Sequence, residues 1–216
     1  LYSEHPWYAQ KEHIKEAVIK PGVTNVGRNA FYDCKALTKV TLPDGLTSIG
    51  RNAFGHCELL SEIVLPDSVT SIGMFAFDRC AMTELKLPDN VTSIGSYAFS
   101  SCESLKEIAI PNGVTKIEDY TFVLCKALQK VTIPNSVTSI GKNAFSRCEA
   151  LKEIIIPSGV TSIAENTFEN CSSLTKITIP DGVASIGNKA FYNCDSLPEI
   201  AIPSGVTSIG NEVFYS

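Results

Sequence analysis

The chain of 216 residues has a net charge of −5 and is 44% apolar, a folding composition with no basic patch for nucleic acid or an anionic membrane. No apolar run approaches the roughly 18–20 residues of a membrane span, and no basic stretch followed by an apolar one marks a leader. Eight cysteines would suit a disulfide framework in a chain under about 100 residues, but in a longer, apolar chain the number alone implies little.

Along the chain, a recurring frame first appears at Ile14, Ala17 and Ile19, with the proline that should follow one place late, at Pro21. The sequence then repeats itself. Phe31, Phe54, Phe77, Phe99, Phe122, Phe145, Phe168, Phe191 and Phe214 recur every 23 residues, except for one step of 22 between Phe77 and Phe99. A cysteine follows each of the first eight by three positions: Cys34, Cys57, Cys80, Cys102, Cys125, Cys148, Cys171 and Cys194. Self-similarity at this period is the signature of a solenoid, in which stacked units bury a core that no single unit could.

One unit reads CxxLxxVxLPxxVTSIGxxAFxx. Its LxxVxLP segment alternates inward and outward over its last residues, which is the strand period, and the proline ends the strand because it cannot donate a backbone hydrogen bond. Pro-Asp-Gly, Pro-Asp-Ser, Pro-Asn-Gly and Pro-Ser-Gly then make a turn, with a fixed φ, an Asx-type bond and a residue tolerant of positive φ. VTSIG is a second short extended piece. GxxAFxxC is expected to be a compact helical or turn segment whose Ala, Phe and Cys share one buried face. About nine such coils, with parallel strands about 4.8 Å apart, give a curved stack on the order of 40 Å long.

Two units depart from the pattern. One residue is lost around Ala81-Met82. Glu118 and Ala164 stand where a glycine is expected, and the Ala before Phe has become Thr121 and Thr167 in the same two units. The paired changes imply a local adjustment in how the turn packs.

The 23-residue pattern LPxxVTSIGxxAFxxC, with its L-x-x-L-x-L-like core, closely resembles the BspA-like, or Treponema-type, leucine-rich repeat family, from Ile14 to Phe214. The resemblance implies a right-handed leucine-rich-repeat solenoid with a parallel sheet on the concave face and short strands or helical turns on the convex side. It implies an N-terminal capping segment over residues 1–13, with Trp7 and Tyr8 over the open end of the first coil, and a repeat array over 14–216. It also implies a secreted or cell-surface module that binds a protein ligand, such as a host matrix or plasma protein or another cell surface. The start at Leu1 without an initiator methionine, and the stop two residues after Phe214, lead to the expectation of a piece of a larger surface protein.

Catalytic or metal chemistry at the cysteines would need partners, and only His5, His13 and His56 exist; one thiol per coil fits a buried apolar group. Free thiols are expected, with pairing between neighbouring coils the alternative. The Asp44, Asp67, Asp89 and Asp181 column suits turns better than calcium, and the Thr-Ser pairs suit strands. No cofactor, no nucleic acid and no membrane insertion are expected.

The search for function therefore moves to the outward positions of the main strands. Glu62, Glu84, Glu107, Lys130 and Glu153 fall in one column, and Val64, Lys86, Thr132 and Ile155 in the next. A solvated face that resists edge aggregation accounts for these columns, and so does a ligand surface with Val64 and Ile155 as apolar contacts. The leading expectation is a non-enzymatic binding or adhesion module that uses this face. The alternative is a structural spacer that presents other domains at the cell surface.

Overall fold

The protein is described by a computed structural model over residues 10–216; the expected cap at Trp7 and Tyr8 lies outside the described residues, as does His5. Residues 10–13 make a turn closed by the His13 N–H donating to the Gln10 carbonyl at 2.9 Å. Beyond it the chain is a parallel β-solenoid of 16 strands among the described residues. They are β1 (Glu16–Val18), β2 (Asn25–Val26), β3 (Lys39–Thr41), β4 (Ser48–Ile49), β5 (Glu62–Ile63), β6 (Ser71–Ile72) and β7 (Ser93–Ile94). There follow β8 (Glu107–Ala109), β9 (Lys116–Ile117), β10 (Lys130–Thr132), β11 (Ser139–Ile140), β12 (Glu153–Ile155), β13 (Ser162–Ile163), β14 (Lys176–Thr178), β15 (Ser185–Ile186) and β16 (Ser208–Ile209).

β1, β3, β5, β8, β10, β12 and β14 form the long-strand face; the others form a second, short-strand face. Equivalent residues of successive coils pair in register, as Glu16 with Lys39 and Glu107 with Lys130. The pleat buries Val40, Ile63, Ile108, Val131 and Ile154 and turns their neighbours outward, as the strand period requires. Each strand-ending proline closes a turn, its carbonyl accepting from the N–H three residues on, from Leu46 (3.1 Å) to Val206 (3.1 Å). The expected positive φ is absent there: Gly22 is the one such glycine among the described residues. That is why Ser68, Ser136 and Asn90 can replace glycine in these turns.

Positive φ lies instead in GxxAFxxC, at two non-glycine residues per coil: Asn29 and Asp33, Asn52 and His56, and so on to Glu212. The segment is therefore a pair of linked turns rather than a helix. Left-handed backbone costs about 1 kcal/mol per residue. In return, it aims N–H groups along the stack. Asn29, Phe31 and Asp33 donate to the Arg51, Ala53 and Gly55 carbonyls of the next coil at 2.8–2.9 Å. This turn-side ladder continues without interruption to Lys189, Phe191 and Asn193.

Ala53, Phe54 and Cys57 are fully buried, as the shared-face expectation holds. The phenylalanine rings form a column from Phe31 to Phe214, centroids 5.4–5.7 Å apart and nearly parallel. The thiols do more than fill space: each from Cys57 to Cys194 donates to the phenylalanine carbonyl of the preceding coil, as Cys57 Sγ to Phe31 O at 3.1 Å and Cys194 Sγ to Phe168 O at 3.2 Å.

Both strand ladders are interrupted. The long sheet splits into β1-β3-β5 and β8-β10-β12-β14, and in the contracted unit only Glu84 bridges to Glu107. It also ends at β14, although Glu199 and Ala201 hold strand positions. Pro198 is the cause: its equivalents, such as Thr38 and Gln129, donate a backbone N–H to the preceding coil, and proline has none.

The short sheet breaks before β9 and before β13, the strands followed by Glu118 and Ala164. Elsewhere the glycine sits against the preceding coil. A Cβ on Gly50 would stand 2.7 Å from the Val26 carbonyl oxygen, and one on Gly95 2.6 Å from the Met74 nitrogen. Side chains at 118 and 164 hold the coils apart. In those two units the buried Thr121 and Thr167 hydroxyls donate to the Glu118 and Ala164 carbonyls at 2.7 and 2.8 Å. This is the physical content of the paired change.

Candidate functional site

All nine singled-out residues are exposed on the long-strand face: Glu62, Val64, Glu84, Lys86, Glu107, Lys130, Thr132, Glu153 and Ile155. They stand outward because each follows or precedes a buried strand residue by one place. The ladder sets Glu107, Lys130 and Glu153 side by side, and Thr132 beside Ala109. Glu62 stands beside Lys39 and pairs with it at 3.2 Å. Val64 and Ile155 are 82% and 69% exposed, the two most exposed of the large apolar side chains among the described residues.

Four open depressions run along this face and take in all nine residues. One of about 510 Å³ includes Glu62 and Val64, and one of about 310 Å³ includes Val64, Glu84 and Lys86. One of about 350 Å³ joins Glu84 and Glu107 to Lys130, and one of about 450 Å³ joins Lys130 and Thr132 to Glu153 and Ile155. Such a surface can take up side chains of a partner.

The cysteines lie elsewhere, as eight buried free thiols. Burial pushes the Cys34 thiol up to about 11 and the Cys102 and Cys194 thiols up to about 12, so none is a thiolate at neutral pH. In the turns that hold the aspartate column, Asn90 Nδ2 donates to the main-chain carbonyl of Asp67 at 2.8 Å. Thr47, Thr70 and Thr138 hydroxyls donate to carbonyls one coil back. Among the described residues no three His, Cys, Asp or Glu side chains gather as metal ligands would.

Two groupings were not read from the sequence because they form across coils. His56 Nε2 stands 3.1 Å from a carboxylate oxygen of Asp78, which is buried. Burial raises the Asp78 carboxyl above its usual range, against the opposing effects of Ser100, His56 and Arg79. The aspartate lies between histidine and serine, an order that differs from the Ser-His-Asp relay, in which the histidine touches the serine. On the turn side Phe75, Tyr97 and Tyr120 stack with centroids 4.5 Å apart, half-buried. Their signal was available, since they occupy equivalent positions of consecutive units.

The sequence profile of the BspA type leucine rich repeat region matches in six copies, over residues 24–152 and 115–216. Among solved structures the chain is similar to the leucine rich repeat protein of T. pallidum: 31% identity, 86% of this chain and 78% of that one, TM-score 0.61. It is also similar to a leucine-rich repeat protein from Bacteroides ovatus: 26% identity, 92% of this chain and 75% of that one, TM-score 0.54. No curated protein matches the sequence.

Proposed function

The chain belongs to the BspA-type leucine-rich repeat family, and from that premise we propose that it is a non-enzymatic adhesion module that binds a protein ligand through its long-strand face. The observation that carries this reading is the continuous exposed surface on which Val64 and Ile155 stand free of packing while depressions link them to charged neighbours. An apolar anchor ringed by polar groups is the usual anatomy of a protein-binding patch. Placement at the cell surface, facing host matrix or plasma proteins or another cell, follows from the family resemblance. The cap over residues 1–13 and the array over 14–216 are part of the same reading.

The test is surface plasmon resonance of the immobilised full chain against purified matrix and plasma proteins, beside Ile155→Glu. At least one protein should bind, and the variant should weaken it roughly tenfold with an unchanged melting temperature. Absence of binding across the panel would favour the spacer, and binding indifferent to Ile155→Glu would place the contact off this face.

A further inference from the structure

The long-strand face changes character at one seam, between β5 and residues 84–88. Elsewhere its first outward column alternates in sign across paired strands: Glu16, Lys39 and Glu62 on one side, Glu107, Lys130, Glu153 and Lys176 on the other. Alternation of this kind is favourable, and like charges directly opposite are not. At the seam Glu62, Glu84 and Glu107 follow one another. Lys39 pairs with Glu62, but Glu84 and Glu107 have no cationic group within ion-pair distance among the described residues.

The same seam is where the long-strand ladder is interrupted, since the residue lost near Ala81 withdraws the next coil from β5. The turn-side ladder crosses the junction intact, Phe54 N–H to the Ala76 carbonyl at 2.9 Å, so the coils stay stacked while the long-strand pairing between them is lost. The depression of about 310 Å³ left there is walled by Val64, Asp67, Glu84 and Lys86. Val64, at its lip, is the most exposed large apolar side chain among the described residues. Lys86 is the one base on this wall, and it makes no ion pair among the described residues.

We propose that this seam docks a basic, extended segment of a partner protein, with cationic side chains against Glu84 and Glu107 and an apolar one over Val64. The proposal rests on the reading of the long-strand face as the binding surface and names the chemistry of its partner. Charge complementarity selects the segment: a cation between Glu84 and Glu107 relieves their repulsion, whereas an acidic segment would add to it. An apolar residue on Val64 removes from water a surface that nothing in the coil covers.

Labelled peptides of roughly ten residues, enough to cross several coils, are the probes: alternating Lys-Val, Glu-Val and Ser-Val, titrated against the full chain by fluorescence anisotropy at low and physiological salt. The Lys-Val peptide should bind roughly tenfold more tightly than the other two, and more weakly as salt rises. Glu84→Lys with Glu107→Lys should abolish that preference, and Val64→Ser, which leaves the charge alone, should weaken binding several-fold. Circular dichroism of each variant establishes that it is folded. Equal binding of the three peptides, or an undiminished preference in Glu84→Lys with Glu107→Lys, would overturn the proposal. So would an equal loss in Glu153→Lys, which would give the seam no special role while leaving the face as binding surface. Failure of the Ile155→Glu experiment would remove the face itself.

Discussion

The Thr121 hydroxyl donates to the Glu118 carbonyl at 2.7 Å, three residues back in the same turn. Units with glycine at this place carry alanine at the other (valine, at Val213, in the last unit) and need no such bond, because their coils close directly, as where the Gly141 N–H reaches the Ile117 carbonyl at 2.8 Å. The hydroxyl gives the Glu118 carbonyl a buried donor where the coils are held apart. Thr121→Ala should cost about 1 kcal/mol in chemical unfolding, the net value of one buried hydrogen bond. Glu118→Gly with Thr121→Ala together restores the common pattern and should recover that loss, so a double-mutant cycle should show coupling.

The turn-side ladder makes a second expectation. Arg147 is exposed with φ at 60°, and the equivalent residues of the next two coils, Asn170 and Asn193, bond side chain to side chain at 2.9 Å. Asparagine accepts left-handed backbone more readily than arginine. Arg147→Asn should therefore raise stability by about 0.5–1 kcal/mol and extend the asparagine ladder by one coil, whereas Arg147→Val should lower it. Thermal melts of the two variants check the sign of each change.

Pro198 ends the long sheet for want of one N–H. Pro198→Thr should restore the donor that Thr175 uses toward the Lys152 carbonyl at 2.9 Å. Backbone amides of residues 199–201 should then exchange more slowly, and stability should rise by about 0.5–1 kcal/mol. Unchanged exchange there would place the cause of the break elsewhere.

The thiols should be silent in the native state and all eight reactive once the chain is unfolded. Burial raises their folded pKa values above the ordinary 9.0, with Cys34 at about 11 and Cys102 and Cys194 at about 12. The folded chain thus holds protons that the unfolded one releases. Their contribution to stability is complete below pH 9 and is lost as pH rises through the window from 9 to about 12. Denaturant midpoints at pH 7, 9 and 10.5, beside a native-state thiol titration, measure both effects.

Much of this was legible in the sequence. The period fixes the coils, the strand alternation fixes which residues face out, and Pro-x-x-Val, or Pro-x-x-Leu at Pro43, marks the turns from Pro43 onward. The covariation of Glu118 with Thr121 was visible as a pair, but its cause was not, because the glycine's role is a close approach to another coil. The turn-side ladder was hidden for a related reason. Positive φ is usually sought at glycine, and here it falls on Asn52, Phe75, Tyr97 and Leu124, held by bonds to the next coil. The His56–Asp78 contact joins two units at offset positions, so neither repeat shows it alone. Pro198 could have been read: a proline at a donor position predicts a lost bond.

The most direct test of the binding face is site-specific photocrosslinking, with a benzophenone side chain placed at Ile155 on the long-strand face or at Met74 on the turn side. With any matrix or plasma protein that binds the full chain, the probe at 155 should give a covalent adduct and the probe at 74 none. An adduct from 74 without one from 155 would contradict the account.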